Sequence, residues 1–405
     1  MMRSVLVSTA LVLSACQTYD FIPVSPISLT QTSQSRDVTA RRLKPNLMIL
    51  VDKSGSMETP IKDADGGIGA TCGTCGPGTA PCPVSCPNRI RELRSAMNSF
   101  LTSSGTIARM GLALFPADAR CGATGQIAVP LPAPSQVDDA VSDMASQTNA
   151  NAVNAAIQGT GTNPSGGTPT NDSLRFVGQT PGLNDSTDLR DDFVLLLTDG
   201  VPNCNIRNVN TCNSPNNACQ CTLSSCVGSF CSEGCLDRQG VVEAVQELSS
   251  KGIKTIVVGF GIGSVLSDDQ RNAPAVLNAM AEAGGLPLSC TTGLDADCGA
   301  NNRCINNVCE RKYFQATNGA ELSQALAKIS EKLPGTEPCI YPLDAQPAGQ
   351  EYLAVIVDGQ NQAPGPDTWA FTNGQIVFSG ATCAKIERAT PLTPVKVQVR
   401  IVSTL

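Results

Sequence analysis

The sequence predicts an α/β protein built on a doubly wound, mostly parallel sheet that is flanked by helices. Apolar runs of strand length alternate with helix-length segments between residues 45 and 335, which is the pattern of a parallel sheet with crossover helices. Hydroxyl-rich and acidic runs directly follow two of these apolar runs. Stretches rich in cysteine, glycine and proline interrupt the alternation. We therefore expect one sheet, with disulfide-rich insertions in its loops and functional residues at one of its edges.

Six segments of this region are predicted to be strands. Most are nearly continuous apolar runs, as in strands that are buried on both faces of a parallel sheet. The predicted strands are 47–51, 110–115, 193–197, 253–258 and 313–316, with a short edge strand at 127–131. The sequence Gly259-x-Gly261-x-Gly263 follows one strand but lacks the spacing of a dinucleotide-binding loop. We interpret these glycines as turns at the exit of the strand.

The helices are predicted from apolar residues at helical spacing and from capping residues. Ile90 and Leu93 begin an apolar face behind Asn88, which is a favourable N-cap residue. The further predicted helices cover 137–144, 152–157, 174–177, 240–250, 273–283 and 321–333. For the 174–177 helix we expect Asn171 or Asp172 to be the cap.

Cysteine-rich insertions are predicted at 64–87, 201–236 and 290–309, and a small β domain at 336–405. Strand-like runs at 353–357, 369–371, 375–378 and 395–402 predict the β domain. Cys339 and Cys383 are its only cysteines and are expected to pair. Trp369, the only tryptophan of the chain, is expected in its core.

The N-terminus is typical of an export signal. Arg3 precedes a short apolar run at 5–13, which ends in Leu13-Ser14-Ala15-Cys16. This is similar to a bacterial lipoprotein signal over residues 1–15, with Cys16 lipidated, and an ordinary secretory signal is the alternative. Residues 16–44 then predict a flexible tether. We expect a protein of the bacterial cell envelope, lipid-anchored to a membrane on its periplasmic or surface face.

The composition argues against two classes of function. A net charge of −7 offers no electrostatic footprint for nucleic acid. The chain has no histidine, which removes the commonest general base and the usual partner of a serine or cysteine nucleophile. We therefore do not expect an enzyme.

Three short runs predict a metal site. They are Asp52-Lys53-Ser54-Gly55-Ser56, Gly166-Gly167-Thr168-Pro169-Thr170 and Thr198-Asp199-Gly200. The first and third follow predicted strands, so they lie at the carboxyl ends, where open α/β sheets place ligands. Carboxylate and hydroxyl oxygens are hard donors that suit Mg²⁺ or Mn²⁺. The alternative is that Asp52 and Thr168 only cap helices.

Together these runs resemble the metal-ion-dependent adhesion site of the von Willebrand factor type A domain, over about residues 45–335. The resemblance implies that Ser54, Ser56 and Thr168 bind the ion directly. Asp52 and Asp199 would act through water or hydrogen bonds. An inner set of mostly neutral hydroxyls leaves the cation electron-poor, with an open position for a carboxylate of a partner.

We therefore expect a membrane-anchored adhesion or protein-binding module that captures an acidic group of a protein or acidic polymer. Two alternatives stay open at this stage. One is a structural envelope component whose metal only orders loops. The other is a metal-dependent hydrolase, with Asp52, Asp199 or Glu58 as the candidate base; the first two are already committed to holding the ion.

The cysteine count predicts disulfides. Of 19 cysteines, removing Cys16 leaves an even 18, as in a disulfide framework of an exported protein; a zinc knuckle around Cys72-x-x-Cys75 is the alternative. Four cysteines follow the first strand and seven follow the 193–197 strand, and Cys121 makes twelve. We therefore expect Cys121 to pair with an insertion beside the metal site. The four cysteines of 290–309 should pair among themselves.

Overall fold

The computed structural model describes most of the predicted sheet region and most of the C-terminal region. The described residues are 34–38, 44–61, 72, 75–76, 82–83, 85–133, 140–159, 161, 163–183, 185, 188, 190–204, 219–222, 226–228, 230–261, 273–290, 294–299, 301–333, 339–343, 347–387 and 395–403. The predicted signal at 1–15, Cys16 and most of the predicted tether lie outside them. Among the described residues, no helix combines the length and the apolar character needed to span a membrane.

The described residues form strands and helices in the following chain order. The strands are β1 (Gln34–Val38), β2 (Asn46–Asp52), β3 (Arg109–Phe115), β4 (Ile127–Val129), β5 (Asp192–Thr198), β6 (Ile253–Phe260), β7 (Cys304–Ile305), β8 (Val308–Cys309), β9 (Phe314–Ala316), β10 (Ile340–Pro342), β11 (Leu353–Val357), β12 (Gln360–Gln362), β13 (Trp369–Thr372), β14 (Gln375–Phe378) and β15 (Val397–Ser403). The helices are α1 (Arg89–Ser104), α2 (Ala140–Gln158), α3 (Thr170–Val177), α4 (Phe230–Glu233), α5 (Arg238–Ser250), α6 (Ala273–Ala283), α7 (Gly319–Lys332) and α8 (Gly380–Glu387).

The central sheet has six strands in the order β4-β3-β2-β5-β6-β9. Its strands run parallel except β4, which pairs antiparallel with β3. The registers align the carboxyl ends, because Asp52 is opposite Phe115 and Val51 is opposite Leu197. The prediction of a mostly parallel sheet flanked by helices is therefore confirmed, and the loops after β2, β3 and β5 leave from one edge.

Both faces of the sheet are covered by helices. Successive residues of a strand point to opposite sides, so a single strand contributes to two cores. Leu47, Ile49 and Val51 lie in the hydrophobic core that contains apolar residues of α1, α2 and α7. Met48 and Leu50 lie in the core that contains apolar residues of α3, α5 and α6. Every residue of β2 is buried, which explains its continuous apolar sequence.

Two details of the helix prediction are wrong. The segments 137–144 and 152–157 were predicted as separate helices, but α2 runs unbroken from Ala140 to Gln158. Neither Asn171 nor Asp172 caps α3, which begins at Thr170 behind Pro169 without a side-chain cap. By contrast, Asn88 caps α1 as predicted, since its side chain accepts a hydrogen bond from the Arg91 amide at 3.1 Å.

The disulfides of the described residues follow the predicted grouping. Cys121 pairs with Cys204, so its link to the second insertion is confirmed. The other bridges are Cys72–Cys86, Cys75–Cys82, Cys219–Cys235, Cys221–Cys226, Cys290–Cys304, Cys298–Cys309 and Cys339–Cys383. In the first insertion the four sulfurs are placed in two bridges, which favours the disulfide prediction over the zinc alternative. Cys212 lies outside the described residues.

The C-terminal region forms two antiparallel sheets around its own apolar core. One sheet has the order β1-β15-β11-β12 and the other β10-β14-β13. Trp369 is 1% exposed in this core, as predicted, and its indole nitrogen donates to the Gln362 carbonyl at 2.7 Å. The tether prediction is wrong for Gln34–Val38, which form β1 and pair with β15. Helix α8 was not predicted.

Candidate metal site at the carboxyl edge of the sheet

Two buried carboxylates end neighbouring strands. Asp52 is the last residue of β2, and Asp199 directly follows β5, the adjacent parallel strand. Both side chains belong to residues that are 0% exposed. Burial of two acidic groups at one sheet edge is costly unless they are hydrogen-bonded or paired with cations. The contacts of these two carboxylates therefore define what the edge can bind.

Asp52 organises the first loop. Its Oδ1 accepts a hydrogen bond from the Ser54 amide at 2.7 Å, and its Oδ2 accepts one from the Thr198 hydroxyl at 2.7 Å. The loop turns so that the hydroxyls of Ser54 and Ser56 are 2.9 Å apart. The Ser56 hydroxyl then donates to Asp199 Oδ1 at 2.8 Å. One hydrogen-bonded chain thus joins the first predicted run to the third.

The second run is held against the first by backbone contacts. The Gly55 amide donates to the Gly166 carbonyl at 2.9 Å, and the Ser165 amide donates to the Lys53 carbonyl at 2.9 Å. Gly166 has a φ of +77°, a left-handed conformation that favours glycine. These contacts place the Thr168 loop across the end of β2.

Gly200 marks the point where the hydroxyls converge. A Cβ atom at this glycine would lie 3.5 Å from Ser56 Oγ and 3.7 Å from Thr168 Oγ1. Two hydroxyls from separate runs therefore face the same small space beside the backbone. The glycine of Thr198-Asp199-Gly200 keeps this space open to a small occupant.

The structure brings all five sequence-predicted site residues to this edge. Asp52, Ser54, Ser56 and Asp199 are linked by the hydrogen bonds above. The Thr168 hydroxyl lies near them, because it and the Ser56 hydroxyl are both within 4 Å of the position that a Cβ of Gly200 would take. The capping alternative for Thr168 does not hold, because α3 begins two residues later and behind Pro169.

Three further residues support the site and were not predicted. Thr198 donates to Asp52, and the Asn203 side-chain oxygen accepts from the Thr168 amide at 2.7 Å. Arg89 Nη1 contacts Asp199 Oδ2 at 2.7 Å. Thr198 lies inside a predicted motif, but Asn203 and Arg89 carry no local sequence signal, since only the fold brings them to the edge.

The electrostatics of the edge favour a cation. The pKa of Asp52 is raised to about 7, chiefly by burial and also by the neighbouring Asp199 carboxylate, while hydrogen bonds from Thr198 and Ser54 oppose the rise. Asp52 and Asp199 face one guanidinium, that of Arg89, within this hydrogen-bonded set. When Asp52 is ionised, two carboxylates against the one guanidinium of this set leave one uncompensated negative charge, and the surrounding donors are hard oxygens. This donor set fits Mg²⁺ or Mn²⁺.

Comparisons of the sequence with protein families and with curated proteins return no match. The structure resembles several solved proteins. One is the pilus adhesin SpaC from Lactobacillus rhamnosus GG, at 16% identity and a TM-score of 0.42. That likeness covers 90% of this chain and 40% of the SpaC chain. The chain therefore spans about two fifths of the length of SpaC.

Two other similar structures come from different sources. The PilB minor pilin from Streptococcus sanguinis is 16% identical with a TM-score of 0.42, covering 73% of this chain and 62% of PilB. Proximal thread matrix protein 1 from the mussel byssus, with a zinc-occupied MIDAS motif, is 11% identical with a TM-score of 0.35. The likeness covers 75% of this chain and 52% of the thread matrix protein chain.

Proposed function

We propose that this protein is a metal-dependent adhesion or protein-binding module that captures an acidic group of its partner. The observation that carries the proposal is the convergence of three hydroxyl- and carboxylate-bearing runs at one sheet edge. In this proposal Ser54, Ser56 and Thr168 hold a divalent ion, Mg²⁺ or Mn²⁺. Asp52 and Asp199 support it from behind, as in the adhesion sites of von Willebrand factor type A domains.

The chemistry of the residues supports this assignment. Asp52 is fixed by Ser54 and Thr198, so its two oxygens hold the loop in shape. The Asp199 carboxylate accepts a hydrogen bond from the Ser56 hydroxyl, so this hydroxyl uses its hydrogen within the protein and would meet an ion through its oxygen. A bound divalent ion would supply a Lewis-acidic position for a carboxylate of a partner. Neutral hydroxyl ligands leave that position strongly attractive to an anion.

The partner is proposed to be a protein or an acidic polymer that offers a carboxylate. Disulfide-tied insertions follow β2 and β5 at the site edge, and loops on a rigid scaffold commonly determine partner choice. The hydrolase alternative is disfavoured because Asp52 and Asp199 are both engaged in holding the loops, and Glu58, the third candidate base, takes no part in the hydrogen bonds described for the site. In the other alternative, a structural envelope component, the ion would only order the loops and would bind no group of a partner.

A capture experiment separates these possibilities. The full chain is immobilised and exposed to envelope extract in Mg²⁺ or in EDTA, beside a Thr168→Ala variant and a Thr255→Ala control, a buried threonine on β6. We expect a partner retained by the wild type and the control in Mg²⁺ only. Equal retention in EDTA, or by Thr168→Ala, would reject metal-mediated capture.

We also propose that Cys16 carries lipid and anchors the protein in the cell envelope. The basis is the sequence Leu13-Ser14-Ala15-Cys16 behind a short apolar run. The Cys16→Ser variant should leave the membrane fraction, as followed by fractionation and mass spectrometry of the N-terminus. Continued membrane association of this variant with an uncleaved signal would rule the anchor out.

A further inference from the structure

A buried arginine lies directly behind the site. Arg89 is 4% exposed, and its Nη1 contacts Asp199 Oδ2 at 2.7 Å in an ion pair whose side chains are 5% and 0% exposed. Its Nη2 donates to the Gly261 carbonyl at 3.2 Å. A buried guanidinium is retained only where its charge and donors are matched, so its position is a specified feature of the site.

Separate elements hold this arginine in place. It is the first residue of α1, directly after the Asn88 cap, and its amide donates to the Thr59 carbonyl at 3.1 Å. Gly261 at the exit of β6 has a φ of +68°, and a Cβ there would lie 2.5 Å from Arg89 Nε. The sequence predicts Gly261 as part of a strand-exit turn. The lack of a side chain at this glycine also leaves room for the guanidinium of Arg89.

The ion pair changes what Asp199 can do. Its Oδ2 is engaged by Arg89 and its Oδ1 accepts the Ser56 hydroxyl. Both carboxylate oxygens therefore have partners from the protein, and the charge of Asp199 is compensated. Asp237, another buried acid of this region, is engaged elsewhere, because it caps α5 and accepts a hydrogen bond from Asn171 at 2.9 Å.

We propose that Arg89 is a positioning residue that selects acidic partners: by compensating Asp199 it leaves the ion site with the single charge of Asp52. A divalent ion in that site keeps a net positive charge of about one, which an anionic ligand neutralises. Without Arg89 the two carboxylates balance the ion, and the attraction for an anion falls. This inference rests on the proposed function.

The test measures two affinities on the full chain at pH 8. Calorimetry gives the affinity for Mn²⁺ alone, and water-proton relaxation of the Mn²⁺-loaded protein gives the affinity for acetate. For Arg89→Gln we expect Mn²⁺ binding about tenfold tighter or more, because a positive charge near the ion is removed. We expect acetate binding weaker by a similar factor. Arg89→Lys, which keeps the charge, should restore both affinities towards the wild-type values.

The control is Arg109→Gln, which removes a buried arginine at the opposite edge of the sheet. It should leave both affinities unchanged, so that loss of stability alone is distinguished from loss of charge at the site. If Arg89→Gln does not fold, Asp199→Asn provides the test with opposite sign: weaker Mn²⁺ and tighter acetate. A wild type that binds no Mn²⁺ rejects the proposed function. If the wild type binds Mn²⁺ but the folded Arg89→Gln variant, or Asp199→Asn in its place, shows both affinities unchanged, the role of Arg89 is rejected and the proposed function is not.

Discussion

The two ends of the central sheet are built from the same strands but have different polar chemistry. We call the edge formed by the amino ends of β2, β3 and β5 the amino edge. There, Arg109 contacts the Asn46 side chain at 2.6 Å and Asp188 at 3.3 Å. Arg190 contacts the other oxygen of Asp188 at 2.9 Å. Asn46 in turn donates to Asp192 at 2.8 Å. Two carboxylates and two guanidinium groups balance in this network.

The carboxyl edge has two carboxylates and one guanidinium in its hydrogen-bonded set. It also has the hydroxyls of Ser54, Ser56 and Thr168, which have no counterpart in the described amino-edge network of Asn46, Arg109, Asp188, Arg190 and Asp192. The difference is one missing positive charge and a surplus of hard oxygen donors. The charges of the amino-edge network therefore balance without an external ion, whereas the carboxyl edge is completed by an external cation in the function proposed above.

The largest effect is expected from a substitution at the amino edge. Arg109→Gln leaves Asp188 without one of its cations in a buried setting, and breaking such a pair typically costs about 3–5 kcal/mol. We expect a loss of that size in denaturant unfolding, with the stabilisation by Mg²⁺ unchanged. A variant that unfolds normally but loses the Mg²⁺ response would show that the two edges are not independent.

The Cys121–Cys204 bridge sharpens the comparison, because it belongs to the carboxyl edge alone. A Cβ at Gly167 would overlap Cys204 Sγ, and Asn203 next to this cysteine holds the Thr168 amide. The bridge joins residues 83 apart in sequence. Replacing both cysteines by serine should cost about 2–4 kcal/mol and weaken ion binding about tenfold, as loss of supporting contacts at metal sites does.

The matched control for that pair is Cys339→Ser with Cys383→Ser. This bridge closes a 44-residue separation in the C-terminal region, away from the residues of the site. It should cost stability there and leave the affinity for Mg²⁺ as in the wild type, as measured by calorimetry. Equal effects of the two double variants on ion affinity would contradict a local role of Cys121–Cys204.

The smallest expected effect concerns pH and Asp192 at the amino edge. Partial burial raises the pKa of this carboxyl to about 6. The folded state therefore binds its proton more tightly than the unfolded state does, and stability contributed by the protonated group is lost as pH rises from about 4 through 6. Asp192→Asn should flatten that part of the stability profile, measured by thermal melting in Mg²⁺-free buffer. An unchanged slope would contradict this assignment.

The sequence was informative wherever the relevant contacts are local. The apolar runs of β2 and β5 predict buried strands, and the runs that follow them place Asp52 and Asp199 at one edge. These positions follow from strand direction alone. The pairing of Cys121 was predictable for the same reason, because parity and loop direction together left it among the cysteines of that edge.

The sequence was less informative where tertiary contacts decide. Arg89 sits at a helix start, where a charged residue is ordinarily exposed, and only the packing of Gly261 against it makes it part of the site. The middle of α2 is polar and gave no helical pattern. Its Asn149 side chain instead donates to the Pro130 carbonyl at 2.8 Å, so polar residues tie this helix to the sheet edge.

The most direct test of the account is calorimetric titration of the full chain with Mg²⁺ and Mn²⁺. We expect the wild type and the Thr255→Ala control to bind one ion per chain. Asp52→Ala should lose binding because the Ser54 loop loses its anchor, and Thr168→Ala because a ligand hydroxyl is removed. Binding that persists unchanged in both variants, or no binding by the wild type, would contradict the assignment of a metal site to this edge.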